Sequence, residues 1–80
     1  MGIKARNVYA IRDELAEDVG PLFEAPTHAV ALRQFSHVLS QVDDSSKGDY
    51  KLFCVGFFDA DNMTLTAIDA QEVKIAAMEK

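Results

Sequence analysis

The sequence predicts an α+β domain, a small antiparallel sheet of three to four strands with one helix packed on a face. Three observations lead to this prediction. Residues 50–58 form an apolar run of strand length, and residues 3–12 are rich in β-branched and aromatic side chains, as strands are. Residues 28–42 repeat apolar side chains at the spacing of a helix. The predicted order of elements is therefore β-α-β-β-(β).

The first strand is predicted over Ile3–Arg12. The acidic segment Asp13–Gly20 follows and is typical of a turn, with a short helical turn as the alternative. Leu22 and Phe23 come directly after a Gly-Pro pair, which interrupts regular structure. We expect these two apolar side chains to drop from a loop into the core.

The helix is predicted over residues 28–42, with Thr27 as its N-cap. Apolar side chains recur at offsets 0, 4, 7, 8 and 11, which places them on one helix face. The polar loop Asp43–Gly48 ends the helix. The apolar face consists of Ala31, Phe35, Val38, Leu39 and Val42.

The second strand is predicted over Tyr50–Phe58. Apolar side chains lie on both of its faces, so both faces should be covered. Strict alternation places Lys51, Phe53, Val55 and Phe57 together on one face and the remaining residues on the other. A turn at Asp59–Asn62 leads to an antiparallel partner over Met63–Ile68. Residues Gln71–Ala77 predict a fourth strand or a short terminal helix.

The chain length of 80 residues fits a single domain spanning residues 1–80. Size scaling lets a chain this small bury only about 60% of its unfolded surface, so the core is thin. Together with the two-sided central strand, this predicts a homodimer. One cysteine excludes a disulfide framework and a Cys-based zinc site, and Cys54 is expected to be a buried apolar residue.

Acidic residues outnumber basic ones by 13 to 8, for a net charge of −5. Residues 1–40 carry a net charge of −1 and residues 41–80 carry −4, so the acidic excess lies in the second half. Any contact with nucleic acid should therefore be local, modest and sensitive to salt. The candidate residues for it are Lys4, Arg6, Arg12, Arg33, Lys51, Phe53 and Phe57.

These residues are candidates because alternating basic and aromatic side chains on a strand can stack unpaired bases and bind phosphates. The alternative is that Phe53, Val55 and Phe57 form core or dimer contacts. No motif indicates an enzyme, a cofactor or a metal site. The histidines, His28 and His37, lack the spacing of a zinc-binding helix pair and are expected to face solvent.

The N-terminal residues carry charges that exclude a signal peptide, and no apolar stretch is long enough to cross a membrane. The sequence thus predicts a soluble protein that is neither secreted nor bound to a membrane.

Three blocks of sequence carry a resemblance to a known family. They are VYAIRD from Val8, GPLFEAPT from Gly20 followed by AVALRQF, and GDYKLFCVGFFD from Gly48. In these blocks and their order the chain resembles the small nonstructural proteins of gokushovirus-type microviruses, which are single-stranded DNA bacteriophages. Relatives usually carry a Thr-Gly turn where this chain has Asp61-Asn62-Met63, and Asn62 serves the same backbone role.

The resemblance implies a DNA-binding or DNA-packaging accessory in the host cytoplasm that is absent from the virion and has no catalytic residues. Arg33, Tyr50 and Asp59 match family positions, and each has a structural explanation. Arg33 can pair with acidic loops, Tyr50 can pack beside the helix, and Asp59 can cap the turn.

Two hypotheses for the function follow. In the first, the protein is a non-enzymatic phage accessory that binds single-stranded DNA or the replication complex, with phage replication or procapsid proteins as further partners. In the second, it is a dimeric protein–protein adaptor whose acidic surface engages a phage or host protein without contacting DNA.

Overall fold

The computed structural model describes residues 5–74. One helix packs on one face of an antiparallel sheet, so the predicted α+β class is confirmed. In chain order the elements are β1 (Ala5–Asp13), β2 (Asp18–Val19), β3 (Phe23–Ala25), α1 (His28–Leu39), a 3₁₀ helix (Asp44–Asp49), β4 (Tyr50–Asp59) and β5 (Thr64–Val73).

The five strands form one sheet in the order β2-β1-β4-β5, with every pairing antiparallel. Strand β3 pairs with the same edge of β1 as β2 does, but at the other end of β1. The two long inner strands, β1 and β4, therefore organise the sheet. Strand β1 was predicted from its β-branched and aromatic residues, and β4 was predicted from its apolar run.

Several boundaries differ from the predictions. Strands β2 and β3 were not predicted, because two or three residues are too few to show a period. Strand β5 is one ten-residue strand, whereas two segments were predicted, and Val73 at its end pairs with Leu52. The part of the predicted fourth element beyond residue 74 lies outside the described residues. Helix α1 ends at Leu39 rather than at residue 42.

The core lies between α1 and one face of the sheet. Tyr9 and Leu52 are fully buried at its centre, and Cys54 is buried as predicted. Phe23 packs against this core, but Leu22 is 57% exposed, so the prediction that both residues enter the core is wrong for Leu22. The core cluster consists of Tyr9, Ala25, Ala31, Leu32, Phe35, Leu52, Cys54 and Val73.

Two contacts fix the start of α1. The Thr27 hydroxyl accepts a hydrogen bond from the Val30 amide at 3.2 Å, which confirms the predicted N-cap. The Tyr9 hydroxyl lies 2.7 Å from His28 Nδ1 and accepts from Asn7 Nδ2 at 2.9 Å. The hydroxyl, which carries one proton, thus links Asn7 of β1 with the first residue of α1. Burial raises the pKa of Tyr9, which keeps this proton in place.

Replacing Tyr9 by phenylalanine should lower the free energy of unfolding by about 1–3 kcal/mol, because it leaves two polar partners unsatisfied next to the core. Urea denaturation measures the change. Adding Asn7→Ala to Tyr9→Phe should cost less than the sum of the two single changes, since both remove the same hydrogen bond. Full additivity would contradict a shared network.

Strand β4 changes phase at Val55. In its pairing with β1, Tyr9 lies opposite Cys54 and Val8 lies opposite Gly56, so Val55 is an extra residue in β4. Residues before the bulge therefore keep their predicted faces and residues after it exchange them. The prediction that Phe57 shares a face with Phe53 is wrong for this reason.

Strand β5 also bulges here. Cys54 pairs with Gln71 and Gly56 pairs with Ala67, so three residues of β5 stand opposite Val55 alone. The β5 backbone consequently passes very close to Gly56. A Cβ atom at Gly56 would lie 2.3 Å from the Thr66 carbonyl oxygen, a distance that atoms do not tolerate. Glycine is the residue that fits where the β5 backbone comes this close to β4.

Candidate nucleic-acid interface

The sheet face opposite α1 is the candidate interface, and we call it the groove face. Directly paired residues of antiparallel strands point to the same side of a sheet. On β1 and β4 the pairs on this side are Arg6 with Phe58, Val8 with Gly56, Ala10 with Phe53, and Arg12 with Lys51. The groove face thus carries an aromatic and a basic side chain at each of its two ends.

The groove face is concave and apolar. Three adjoining cavities of about 280, 330 and 340 Å³ lie along it, and the Leu22 side chain lines all three. Val8 and Ala10 form its floor and are almost fully buried. Further lining residues are Val19, Val55, Leu65, Ala67, Ile68 and Ala70.

The two arginines of the groove face are held by ion pairs. Arg6 Nε lies 3.0 Å from Glu24 Oε1, and Arg12 Nε lies 3.1 Å from Glu14 Oε2. All four side chains are 40% to 47% exposed, and such pairs contribute only about 0–1 kcal/mol each. Lys51 takes part in none of the ion pairs found within residues 5–74.

Four of the seven candidate residues named from the sequence meet on this face: Arg6, Arg12, Lys51 and Phe53. Phe57 does not, because the Val55 bulge turns it to the helix side of the sheet, where it pairs with Asn7 and is 42% exposed. Lys4 lies outside the described residues.

Arg33 also lies apart from the groove face, on the exposed side of α1. There it borders a cavity with Gln34, His37 and Val38. No ion pair within residues 5–74 includes Arg33, so the expected pairing with acidic loops is not observed.

Phe58 is the site residue that the sequence analysis missed. It lines the cavity at the Arg6 end of the groove face, together with Phe23, Glu24 and Leu65. The available signal was Gly56, because a glycine inside a strand pattern often marks a bulge, after which alternation restarts on the other face.

The predicted turn at Asp59 is confirmed, since its carboxylate accepts from the amides of Asp61 and Asn62.

Two other kinds of site are not found in the described part of the chain. Among residues 5–74, no three His, Cys, Asp or Glu side chains lie close enough together to hold a metal ion. In the same part of the chain, no helix combines the length and the apolar character that a membrane crossing needs.

Comparison with known proteins gives a family. The model of the family described as Phage ORF5 protein matches residues 6–80, nearly the whole chain. The chain belongs to this phage protein family. No curated protein matches the chain, and no solved structure matches it. The match confirms a phage protein and includes every groove-face residue named above.

Proposed function

We propose that this phage ORF5 protein is a non-enzymatic accessory of a single-stranded DNA microvirus that binds unpaired DNA on its groove face during genome replication or packaging. The observation that carries the proposal is the register of β1 and β4. It places Arg12 beside Lys51, and both next to Phe53, on one open and concave sheet face.

Unpaired DNA needs two kinds of contact, and the groove face supplies both. Aromatic rings stack on bases for about 1–3 kcal/mol each, and Phe53 and Phe58 stand near the two ends of the groove. Basic side chains bind the phosphates between stacked bases, and each phenylalanine has at least one arginine or lysine beside it.

The acidic side chains of this face limit the affinity. Glu24 and Glu14 occupy Arg6 and Arg12, so a phosphate must exchange with a carboxylate at each arginine. Because exposed ion pairs are weak, the exchange costs little. Lys51 needs no such exchange. We therefore expect few phosphate contacts and a dependence on salt with a slope of about −0.7 per contact.

Titration of a labelled single-stranded oligonucleotide at about 50 mM and about 200 mM salt tests the proposal. The variant Phe53→Ala should raise the Kd by roughly 5- to 150-fold, which corresponds to one lost stack of about 1–3 kcal/mol. Phe57→Ala is the matched control. It removes the same ring from the same strand on the opposite face, so the Kd should stay unchanged.

An absence of binding at the lower salt concentration would refute DNA binding, whereas equal losses in the two variants would refute the groove face as the place where DNA binds. The first of these results would leave the second hypothesis, an adaptor that engages a protein partner. That adaptor would retain its partner in the Phe53→Ala variant when the partner is captured from infected cells with the full chain.

A further inference from the structure

A second surface, on the other side of the molecule, centres on the exposed apolar residue Val38 and has basic residues on one side of it and acidic residues on the other. Val38 of α1 is 37% exposed and lines two neighbouring cavities. One cavity is basic, with Arg33 and His37 in its wall. The other, of about 280 Å³, is acidic, with Asp13 and Asp18 beside Tyr50. We call these two cavities and Val38 the Val38 surface.

The acidic side of the Val38 surface has no cation of its own. Asp13 and Asp18 line this cavity and accept backbone amide hydrogen bonds, but no ion pair within residues 5–74 includes either of them. The negative charge of Asp13 raises the pKa of the Tyr50 hydroxyl, with smaller contributions from desolvation and from Asp49. The raised pKa of Tyr50 thus agrees with an excess of negative charge on this side, which a cation would neutralise.

The basic side has the opposite imbalance. Helix α1 contains no acidic residue, although the chain as a whole has a net charge of −5. Arg33 and His37 are one turn apart on its exposed side, and Arg33 has no carboxylate partner among the described residues.

The direction of α1 relates the two sides. Tyr9 contacts His28 at the start of α1, and Asp13, further along β1, shares a cavity with Val38 near its end. The acidic side therefore lies towards the C-terminal end of the helix. Arg33 lies five residues before Val38, about 7.5 Å towards the other end.

We propose that a second copy of this chain docks on the Val38 surface, with the two helices antiparallel about a two-fold axis near Val38. In this arrangement Arg33 of each copy reaches Asp13 and Asp18 of the other. A two-fold interface must be complementary to itself, and a surface with opposite charges on either side of its centre meets that condition. The groove face stays open in this dimer, so the dimer is independent of the proposed function.

Charge reversal tests the pairing by sedimentation of the full chain without DNA over a wide range of concentration. Arg33→Asp and Asp18→Arg should each weaken the dimer roughly tenfold or more, because each places like charges opposite one another twice. A mixture of the two variants should restore a dimer, since both contacts of the mixed pair then join opposite charges. Asp61→Arg, an equal charge change in the β4–β5 turn, should leave the dimer unchanged.

A wild-type chain that stays monomeric at all concentrations would overturn the proposal. A dimer that survives both charge reversals would do the same, and so would a mixture that fails to recover the dimer. Circular dichroism of each variant confirms that the sheet is intact, so that a lost dimer is not mistaken for an unfolded chain.

Discussion

The variant Gly56→Ala should destabilise the protein by about 3 kcal/mol, at the upper end of the range for overpacked sites. The added Cβ would lie 2.3 Å from the Thr66 carbonyl oxygen and 3.4 Å from Ala67 Cα. Both atoms belong to the β5 backbone, so no side-chain rotation can relieve the clash. Strand β5 would have to move away from β4, which would break the pairing on both sides of the bulge. Urea denaturation measures the loss.

Gly48→Ala is the matched control for this change. Gly48 lies in the 3₁₀ helix, and a Cβ atom there meets nothing within 4 Å. We expect a change in the free energy of unfolding of no more than about 0.5 kcal/mol. A similar loss in the two variants would mean that the close approach of β5 to Gly56 is not the cause of the destabilisation.

The variant Leu52→Ala should lower the free energy of unfolding by about 2–5 kcal/mol, the range for large-to-small changes in a core. Leu52 is 1% exposed and lies between its strand neighbours Ile11 and Val73, under the helix. With only a thin core, the protein has few other side chains that could move into the space left behind. Thermal and urea denaturation should both report the loss.

Leu65→Ala makes the same chemical change on the neighbouring strand at a side chain that is 60% exposed. Because little apolar surface is lost there, its cost should stay below about 1 kcal/mol. Equal losses in the free energy of unfolding at Leu52 and Leu65 would show that Leu52 does not lie in the core.

The long elements of the fold could be predicted because each depends on a local pattern. The N-cap at Thr27 and the strand β4 could each be predicted from neighbouring residues alone. Strands β2 and β3 could not be predicted, since they exist only by pairing with β1. The end of α1 was predicted too late because the apolar spacing continues to Val42, whereas Ser40 is the C-cap and residues 41 and 42 form turns.

The candidate site could be predicted up to the bulge and no further. Lys51 and Phe53 come before it in β4, and alternation placed them together correctly, while the pairing of β1 with β4 brings Arg12 beside them. Phe57 and Phe58 come after it, and alternation assigned each to the wrong face. A bulge is set by how two strands pair, so the sequence of β4 alone contains only the hint of Gly56.

Strand β4 contributes side chains to both faces of the sheet on either side of the bulge at Val55. Leu52 and Cys54 enter the core under α1, while Phe53 before the bulge and Phe58 after it line the groove face. Loss of the single residue Val55 would leave Gly56 directly after Cys54 and still opposite Val8, so Phe58 would stay in the groove and Phe57 on the helix side. In evolutionary terms, a one-codon deletion here would remove the bulge between β1 and β4 and leave every other side chain of β4 on its present face.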